Sequence, residues 1–348
     1  MSYLLSRRLN GKIPPRRPDR STGAVYAALD LGTNNCRMLM AVPDSQGFQV
    51  VDSFSRPVRL GQGLGASGRL NDEAMNRTIE ALRVCADKIR SADCKRVRAV
   101  ATEACRRAVN GESFLARVES TTGISLTAIS PQEEATLTVA GCAPLLDGTV
   151  PYALIFDIGG GSTELIWVRQ VADRGPELID LLSIPVGVVT LVEEYGFGPI
   201  HQRQQMQIVR QIDAVLAPFC TRNGINAQLA EGRLQMLGTS GTITALGAIY
   251  LGLSRYNRHR VDGLWLELDR IQAISERLTQ MGLAERARIP SIGQARADLV
   301  AVGCAILDAI CWRWPAPRIR VADRGIREGL LQAMIAVDRT GSPSPIPL

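Results

Sequence analysis

The chain has 348 residues, 46% of them hydrophobic, enough to bury the cores of two ordinary domains. Its net charge of +6 is concentrated at the start, since residues 1–20 carry six basic side chains and one acidic one, leaving 34 basic and 33 acidic residues elsewhere. A nearly neutral body argues against a specific nucleic-acid partner. The N-terminus lacks an apolar signal core, and the longest apolar runs are too short to span a bilayer. We expect a cytoplasmic protein with no membrane partner.

Cysteine and histidine usage narrows the chemistry of any site. The eight cysteines form no CxxC pair and no zinc spacing, and most lie in apolar or helical stretches, as free core thiols do. His201 and His259 are the only histidines, which argues against a histidine relay or a transition-metal site. Carboxylates with a hard cation such as magnesium fit the composition better.

In chain order, residues 1–23 are expected to form a disordered basic tail, and the first predicted element is a hairpin over residues 25–42. An apolar strand ends in Asp30, small polar residues turn the chain, and a second apolar strand follows. The stretch 154–168 repeats this plan at Asp157, 127 positions after Asp30. Two such hairpins predict duplicated α/β lobes that face each other across a cleft, with both turns pointing into it.

The second turn carries the strongest chemical signal. Gly159, Gly160 and Gly161 expose backbone N–H groups with no Cβ in the way. Such a loop can wrap a phosphate, and the flanking carboxylates of Asp157 and Glu164 can hold a divalent cation against that phosphate. Phosphate chemistry is therefore the first hypothesis. A glycine-rich hairpin with solvated charges is the plainer alternative.

Between the two hairpins, residues 71–90 predict a helix with Asn71 as its N-cap. A short strand over residues 96–100 then leads into polar residues, at the place where α/β sheets present ligand groups. Arg106 or Arg107 can reach a phosphate from there, although two adjacent arginines at a helix start are more often a solvated face.

The next helix start distinguishes two neighbouring acids. Ser130 and Pro131 fit the first positions of a capping box in which Glu133 bonds back to the Ser130 backbone. Glu134 lies about 100° further round the helix and is free to point elsewhere. A free carboxylate at a boundary between lobes is a general-base candidate, and a solvated glutamate is the alternative.

The remaining stretches complete the second lobe and the C-terminus. A helix over residues 201–219 is expected to bury one apolar stripe, and residues 234–246 form a strand, a turn of small residues and a helix start with further backbone donors. The other predicted elements are a strand at 178–185, a helix at 187–194, a buried helix at 295–311 begun by Arg296 and Asp298, and a strand, turn and closing helix over 319–331. The predicted core stripe consists of Met206, Val209, Ile212 and Leu216.

These stretches together resemble the exopolyphosphatase / guanosine pentaphosphate phosphohydrolase family, within the actin-like and sugar-kinase-like superfamily. The resemblance covers nearly everything between about residues 24 and 335. The residues that carry it are DLGTNNCRML (30–39), ATEACRRAVN (101–110), ISPQEEA (129–135), DIGGGSTEL (157–165), GTSGT (238–242), RADLVAVGCAIL (296–307) and VADRGIREG (321–329).

The resemblance implies two duplicated actin-like, ribonuclease H-like lobes. Lobe I is expected over residues 24–131, closed by the C-terminal helix at about 329–340, lobe II over 132–328, and a frayed tail over 341–348. Larger relatives carry extra C-terminal helical domains that lengthen a polymer channel, and this chain stops after the two lobes. A shorter cleft is therefore expected, favouring short chains or nucleotides unless a homodimer builds a channel.

The implied activity is hydrolysis of the terminal phosphate of inorganic polyphosphate with Mg²⁺. The alternative hypothesis is that the substrate is guanosine pentaphosphate, a stringent-response nucleotide, from which one phosphate is removed. Three alternative hypotheses assign the chain a different kind of function: an ATP-using kinase, a filament-forming actin-like protein, or a non-catalytic polyphosphate or alarmone sensor.

Carried over position by position, the resemblance assigns the catalytic base to Glu134 and the metal-holding acids to Asp157 and Glu164. It assigns a phosphate-binding arginine to Arg106. The implied phosphate-wrapping residues are Thr33, Asn34, Asn35, Gly159, Gly160, Gly161 and Ser162.

Overall fold

The computed structural model describes residues 23–45, 47–172, 174–294 and 296–340. The predicted tails lie outside these ranges, apart from Gly23. The first half of the chain contains β1 Tyr26–Leu31, β2 Asn35–Asp44, β3 Gly47–Pro57, α1 Leu64–Ser67, α2 Asp72–Ser91, β4 Arg96–Ala101, α3 Glu103–Arg107, α4 Gly111–Thr122 and β5 Leu126–Ala128. The second contains α5 Pro131–Cys142, β6 Tyr152–Ile158, β7 Thr163–Val171, β8 Gly175–Ile184, α6 Val188–Tyr195, α7 Gln202–Asn223, α8 Ile225–Ala230, β9 Leu234–Thr239, α9 Gly241–Tyr250, α10 Arg258–Val261, β10 Trp265–Glu267, α11 Leu268–Gln280, α12 Leu283–Ala287, α13 Val300–Arg313, β11 Arg318–Val321 and α14 Ile326–Thr340.

Two mixed sheets repeat one plan. The first has the order β3-β2-β1-β4-β5 and the second β10-β11-β9-β6-β7-β8. In each, an antiparallel meander of three strands continues into two parallel strands, with β10 as an additional antiparallel edge strand of the second sheet. The predicted α/β fold with two duplicated lobes is therefore confirmed.

Helices α5 and α14 join the lobes. Helix α14 covers one face of the first sheet and α5 covers one face of the second, and the two helices also contact each other. Their approach depends on glycine: a Cβ on Gly141 would lie 2.1 Å from the Gly325 carbonyl oxygen, and one on Gly329 would lie 2.2 Å from the Leu137 carbonyl oxygen. This close crossing holds the two sheets so that their first hairpins meet across the cleft.

The outer faces of the sheets carry the larger cores. Helices α2 and α4 pack on the first sheet, and α7, α9, α11 and α13 pack on the second. Asn71 caps α2 as predicted, its side chain accepting from the Ala74 N–H at 2.8 Å. All eight cysteines are free thiols. Within the described ranges, every helix is too short or too polar to cross a lipid bilayer.

Two sequence predictions for lobe II are wrong in detail. Met206 is 37% exposed because it precedes the first buried residue of α7, Ile208, and lines a surface groove. The helix predicted to start near Arg296 begins only at Val300. Tertiary contacts hold the preceding turn: the Arg296 guanidinium lies 5.5 Å from the Tyr256 ring centroid, and Asp298 pairs with Arg59 from the other lobe.

Candidate active site

The two turns that face the cleft close in the same way. In the first, which we call turn one (residues 32–35), the Gly32 N–H donates to the Asn35 carbonyl at 2.9 Å. In the second, turn two (residues 159–162), the Gly159 N–H donates to the Ser162 carbonyl at 2.9 Å. Each position of turn two is 127 residues after its counterpart, so the structure repeats the duplication seen in the sequence.

The carbonyl groups of turn two are held away from the cleft by the start of α6. The Val188 N–H donates to the Gly159 carbonyl at 3.0 Å, and the Val189 N–H donates to the Gly160 carbonyl at 2.7 Å. Among the described residues, none accepts a hydrogen bond from the N–H groups of Gly160 and Gly161, which border the cleft. Turn two therefore offers unpaired backbone donors to an anion.

Turn one is anchored by the equivalent segment of its own lobe. The N–H groups of Val58 and Arg59 donate to the Asn34 carbonyl, and the Gly61 N–H donates to the Thr33 carbonyl, at 2.8–2.9 Å. In both lobes, the residues that follow the third strand thus hold the carbonyls of the cleft turn. The two turns therefore share this kind of anchoring, although the carbonyls held are those of Thr33 and Asn34 in turn one and of Gly159 and Gly160 in turn two.

Two adjoining cavities lie between the turns. The first, which we call the arginine chamber, has a volume of about 70 Å³ and is bordered by Arg37, Arg296 and the first turn of α9. The second, the carboxylate chamber, has a volume of about 80 Å³ and contains five acids: Asp30, Glu103, Glu134, Asp157 and Glu164. The residues common to both walls are Asn34, Asn35, Arg37, Gly159, Gly160 and Ser240.

The sequence-predicted site residues converge with one exception. Those that line the carboxylate chamber are Thr33, Asn34, Asn35, Glu134, Asp157, Gly159, Gly160, Gly161, Ser162 and Glu164. Arg106 lines neither chamber. It lies behind Glu134 instead, where its Nη1 donates to the Ile129 carbonyl at 2.6 Å and lies 3.5 Å from Glu134 Oε2.

Asp157 and Glu164 form a carboxylate pair. They stand directly opposite each other on the antiparallel strands β6 and β7, so both side chains project from the same face. Burial raises the pKa of Asp157 to about 6. Burial and the neighbouring Asp157 raise the pKa of Glu164, even though the hydroxyls of Ser162 and Ser183 donate to it at 2.6 and 2.9 Å.

This pair fits a magnesium ion. The raised pKa values show that these two adjacent buried acids have too little positive charge nearby to stabilise their ionised forms, and a divalent cation would supply that charge. No group of three or more His, Cys, Asp and Glu side chains in the described ranges is placed to hold a metal. Such a small donor set suits Mg²⁺, which is commonly bound by one or two carboxylates, substrate phosphates and water.

Glu134, the general-base candidate, lines the carboxylate chamber. It is only 8% exposed, and its pKa lies well above the ordinary value because of burial and the nearby Glu164. The prediction that Glu133 closes a capping box is wrong in its second half. The Ser130 hydroxyl does accept from the Glu133 N–H, but the Glu133 carboxylate lies 3.5 Å from Arg98, since a cation is a stronger partner than a backbone N–H. The two acids still point to different environments.

Sequence reasoning missed Asp30, Arg37, Glu103 and Arg296. Asp30 and Arg37 face each other on β1 and β2 in the register that Asp157 and Glu164 have in the other lobe. Asp30 and Arg37 could have been identified from the sequence, because the constant offset of 127 residues between the hairpins makes them equivalent to Asp157 and Glu164. Glu103 and Arg296 had no comparable signal, because only the tertiary fold brings them to the cleft.

The model of the Ppx/GppA phosphatase family matches residues 39–337 of the chain. The chain belongs to the Ppx/GppA phosphatase family. This membership confirms the predicted family and the predicted phosphoanhydride hydrolase.

Solved Ppx/GppA and exopolyphosphatase structures have the same architecture. A Ppx/GppA family member of Aquifex aeolicus is 25% identical, with a TM-score of 0.73, over 90% of this chain and 98% of that one. An exopolyphosphatase-like protein is 27% identical, with a TM-score of 0.77, over 89% and 97% of the two chains. An exopolyphosphatase of Cytophaga hutchinsonii, 23% identical over 90% and 98%, shares the fold with a TM-score of 0.80.

Proposed function

We propose that this Ppx/GppA phosphatase is an exopolyphosphatase that hydrolyses the terminal phosphate of inorganic polyphosphate with a water activated by Glu134. The observation that carries the proposal is the convergence of the buried Glu134, the Asp157–Glu164 pair and the two glycine-containing turns on one chamber. The names of two structural relatives, an exopolyphosphatase and an exopolyphosphatase-like protein, agree with this substrate.

The two chambers hold different parts of the substrate. The terminal phosphate lies in the carboxylate chamber, where the N–H groups of Gly160 and Gly161 neutralise its oxygens. The rest of the chain leaves through the arginine chamber, where Arg37 and Arg296 supply positive charge suited to phosphate oxygens. Asp157 and Glu164 would hold Mg²⁺, which when bound offsets charge on the phosphate oxygens.

Glu134 takes a proton from the attacking water. A carboxylate whose pKa is raised by burial is a stronger base near neutral pH than an exposed one. Arg106, fixed on the Ile129 carbonyl, lies against Glu134 Oε2 and orients it. The leaving group is a shortened polyphosphate, so positioning and charge neutralisation account for most of the rate.

Guanosine pentaphosphate is the second candidate substrate. One observation favours it: apolar side chains form much of the arginine chamber beside its two arginines, and such a wall can pack against a nucleoside. The apolar residues of that wall are Ile158, Val188, Ala245, Leu299 and Val300.

The deciding experiment measures phosphate release from short polyphosphate, long polyphosphate and guanosine pentaphosphate side by side, with and without Mg²⁺. We expect release from polyphosphate to be the fastest and to require the cation. Faster release from the nucleotide would reverse the order of the two substrates. Absence of release from all three in the presence of Mg²⁺ would refute the proposed function.

A further inference from the structure

Glu103 is a buried acid of the cleft to which the proposed reaction gives no role. It is the first residue of α3 and is 8% exposed. Its Oε2 accepts a hydrogen bond from the Thr33 hydroxyl at 3.1 Å, and its Oε1 lies 3.3 Å from Nη1 of Arg107. Both carboxylate oxygens are thus fixed by partners within lobe I.

The same carboxylate spans the cleft and touches lobe II. A Cβ on Gly161 would lie only 2.1 Å from Glu103 Oε2, so this oxygen packs directly against the Gly161 backbone. Next to this contact the turns themselves meet, since a Cβ on Gly160 would lie 2.9 Å from the Thr33 Cβ and 3.0 Å from the Asn34 nitrogen. Turn one, turn two and Glu103 therefore form one continuous contact between the lobes.

The part of this contact that Glu103 makes belongs to the wall of the carboxylate chamber that the arginine chamber does not share. Glu103, Thr33 and Gly161 border the carboxylate chamber alone, whereas Asn34 and Gly160 border both cavities. A phosphate chain in the arginine chamber can therefore reach the carboxylate chamber past these shared residues, and there it meets Glu103 in the unshared wall.

We propose that Glu103 is the end wall of the site, a specificity-determining residue that restricts hydrolysis to the terminal phosphate. The inference rests on the proposed function. To place an internal phosphate beside Glu134, the chain would have to continue past Glu103. It would then displace a carboxylate held by Thr33 and Arg107, and it would bring a further negative charge against that carboxylate.

The chemistry of internal and terminal cleavage is the same, so the wall acts by space and charge alone. In both, the water oxygen bonds to phosphorus, its proton goes to Glu134, and the bridging oxygen leaves with its electron pair on the departing chain. The difference is whether chain is present on one side of the reacting phosphorus or on both. Removing the wall should therefore add internal cleavage without a new catalytic group.

The test uses long polyphosphate with both terminal phosphates capped as alkyl phosphoramidates, compared with the same polymer uncapped. The variants are Glu103→Ala, which removes bulk and charge, and Glu103→Gln, which removes the charge alone. Glu112→Ala is the control, because Glu112 is an exposed acid at the start of α4 and lines neither chamber. Product lengths are resolved on gels, and thermal unfolding reports on folding.

We expect the wild type and Glu112→Ala to release phosphate from the uncapped chain and to leave the capped chain intact. Glu103→Ala should cut the capped chain at least roughly tenfold faster than the wild type and yield products of intermediate length, and Glu103→Gln should fall between the two. If Glu103→Ala does not fold, Glu103→Gln decides, since loss of the charge alone must raise capped-chain cleavage.

Variants that release phosphate from uncapped chains but cut capped chains no faster than the wild type would overturn the end wall and leave the proposed function intact. Failure of the wild type on uncapped chains would instead refute the proposed function and the end wall with it. Cleavage of capped chains by the wild type at the uncapped rate would also overturn the end wall.

Discussion

Gly187 lies where α6 meets turn two, and its substitution tests whether the position of that turn controls the reaction. A Cβ there would lie 2.4 Å from the carbonyl carbon and oxygen of Gly160 and 2.6 Å from the Gly161 nitrogen. Ordinary contact begins at 3.4 Å, so in Gly187→Ala either turn two or α6 must move by about 1 Å. The three nearest atoms all belong to the backbone, which has no flexible end to swing aside.

A shift of about 1 Å at a substrate-positioning group costs on the order of 10²-fold in rate. We expect kcat/KM for phosphate release from Gly187→Ala to fall by about that factor. The hydrogen bonds from Val188 and Val189 to turn two should lengthen in the same variant. Overpacking should also lower the free energy of unfolding by about 1–3 kcal/mol.

The assay compares initial rates of phosphate release at substrate concentrations below KM, together with urea unfolding. Gly148→Ala is the matched control, because a Cβ at Gly148 meets nothing within 4 Å. Its rate and stability should equal those of the wild type. A folded Gly187→Ala protein with wild-type kcat/KM would show that turn two does not position the reacting phosphate.

Three further perturbations test other parts of the site and the core. Glu134→Gln should lose activity by about 10²–10⁴-fold while still binding substrate. Glu133→Gln should lose far less activity, because the Glu133 carboxylate faces Arg98. Phosphate release and equilibrium binding are measured for both variants, and a larger loss in Glu133→Gln would mean that Glu134 is not the general base. Asp157→Asn should weaken Mg²⁺ binding in isothermal titration calorimetry, and unchanged cation affinity would exclude Asp157 as a ligand. Burial raises the pKa of Asp308 from 3.8 to about 6, so this residue contributes a loss of stability as pH rises from about 4 to 6. Asp308→Asn should remove that contribution and be more stable than the wild type by about 3 kcal/mol at pH 7.5 but not at pH 4, as followed by urea unfolding. The same difference between variant and wild type at both pH values would contradict the assigned cause.

The hairpins and helix starts could be predicted because short-range sequence determines them. An apolar run that ends in an acid and a glycine leaves the chain few options other than a turn, and both stretches form the expected antiparallel pairs. Asn71 and Ser130 cap their helices through bonds to residues three positions later. The duplication follows from the recurrence of one such pattern.

The rest of the site depends on contacts that no local pattern encodes. Glu103 enters the cleft through a bond to Thr33, 70 positions earlier, and through its packing on Gly161 of the other lobe. A glutamate at a helix start is ordinarily solvated, so sequence alone gave no reason to place it in a cavity. Met206 shows the opposite error. Its helical spacing predicts burial, but it lies beyond the end of the packed region and is exposed.

The register shared by the two hairpins gives the cleft a direction. Arg37 opposite Asp30 and Glu164 opposite Asp157 are the same position in two copies of one structural unit, with the charge inverted. Under strict two-fold symmetry, a linear polyanion would bind equally well in either orientation. The single inversion breaks that equivalence, since one copy presents a carboxylate and a guanidinium to the cleft and the other presents two carboxylates. The charge inversion therefore lets a duplicated scaffold hold a uniform polymer in one orientation.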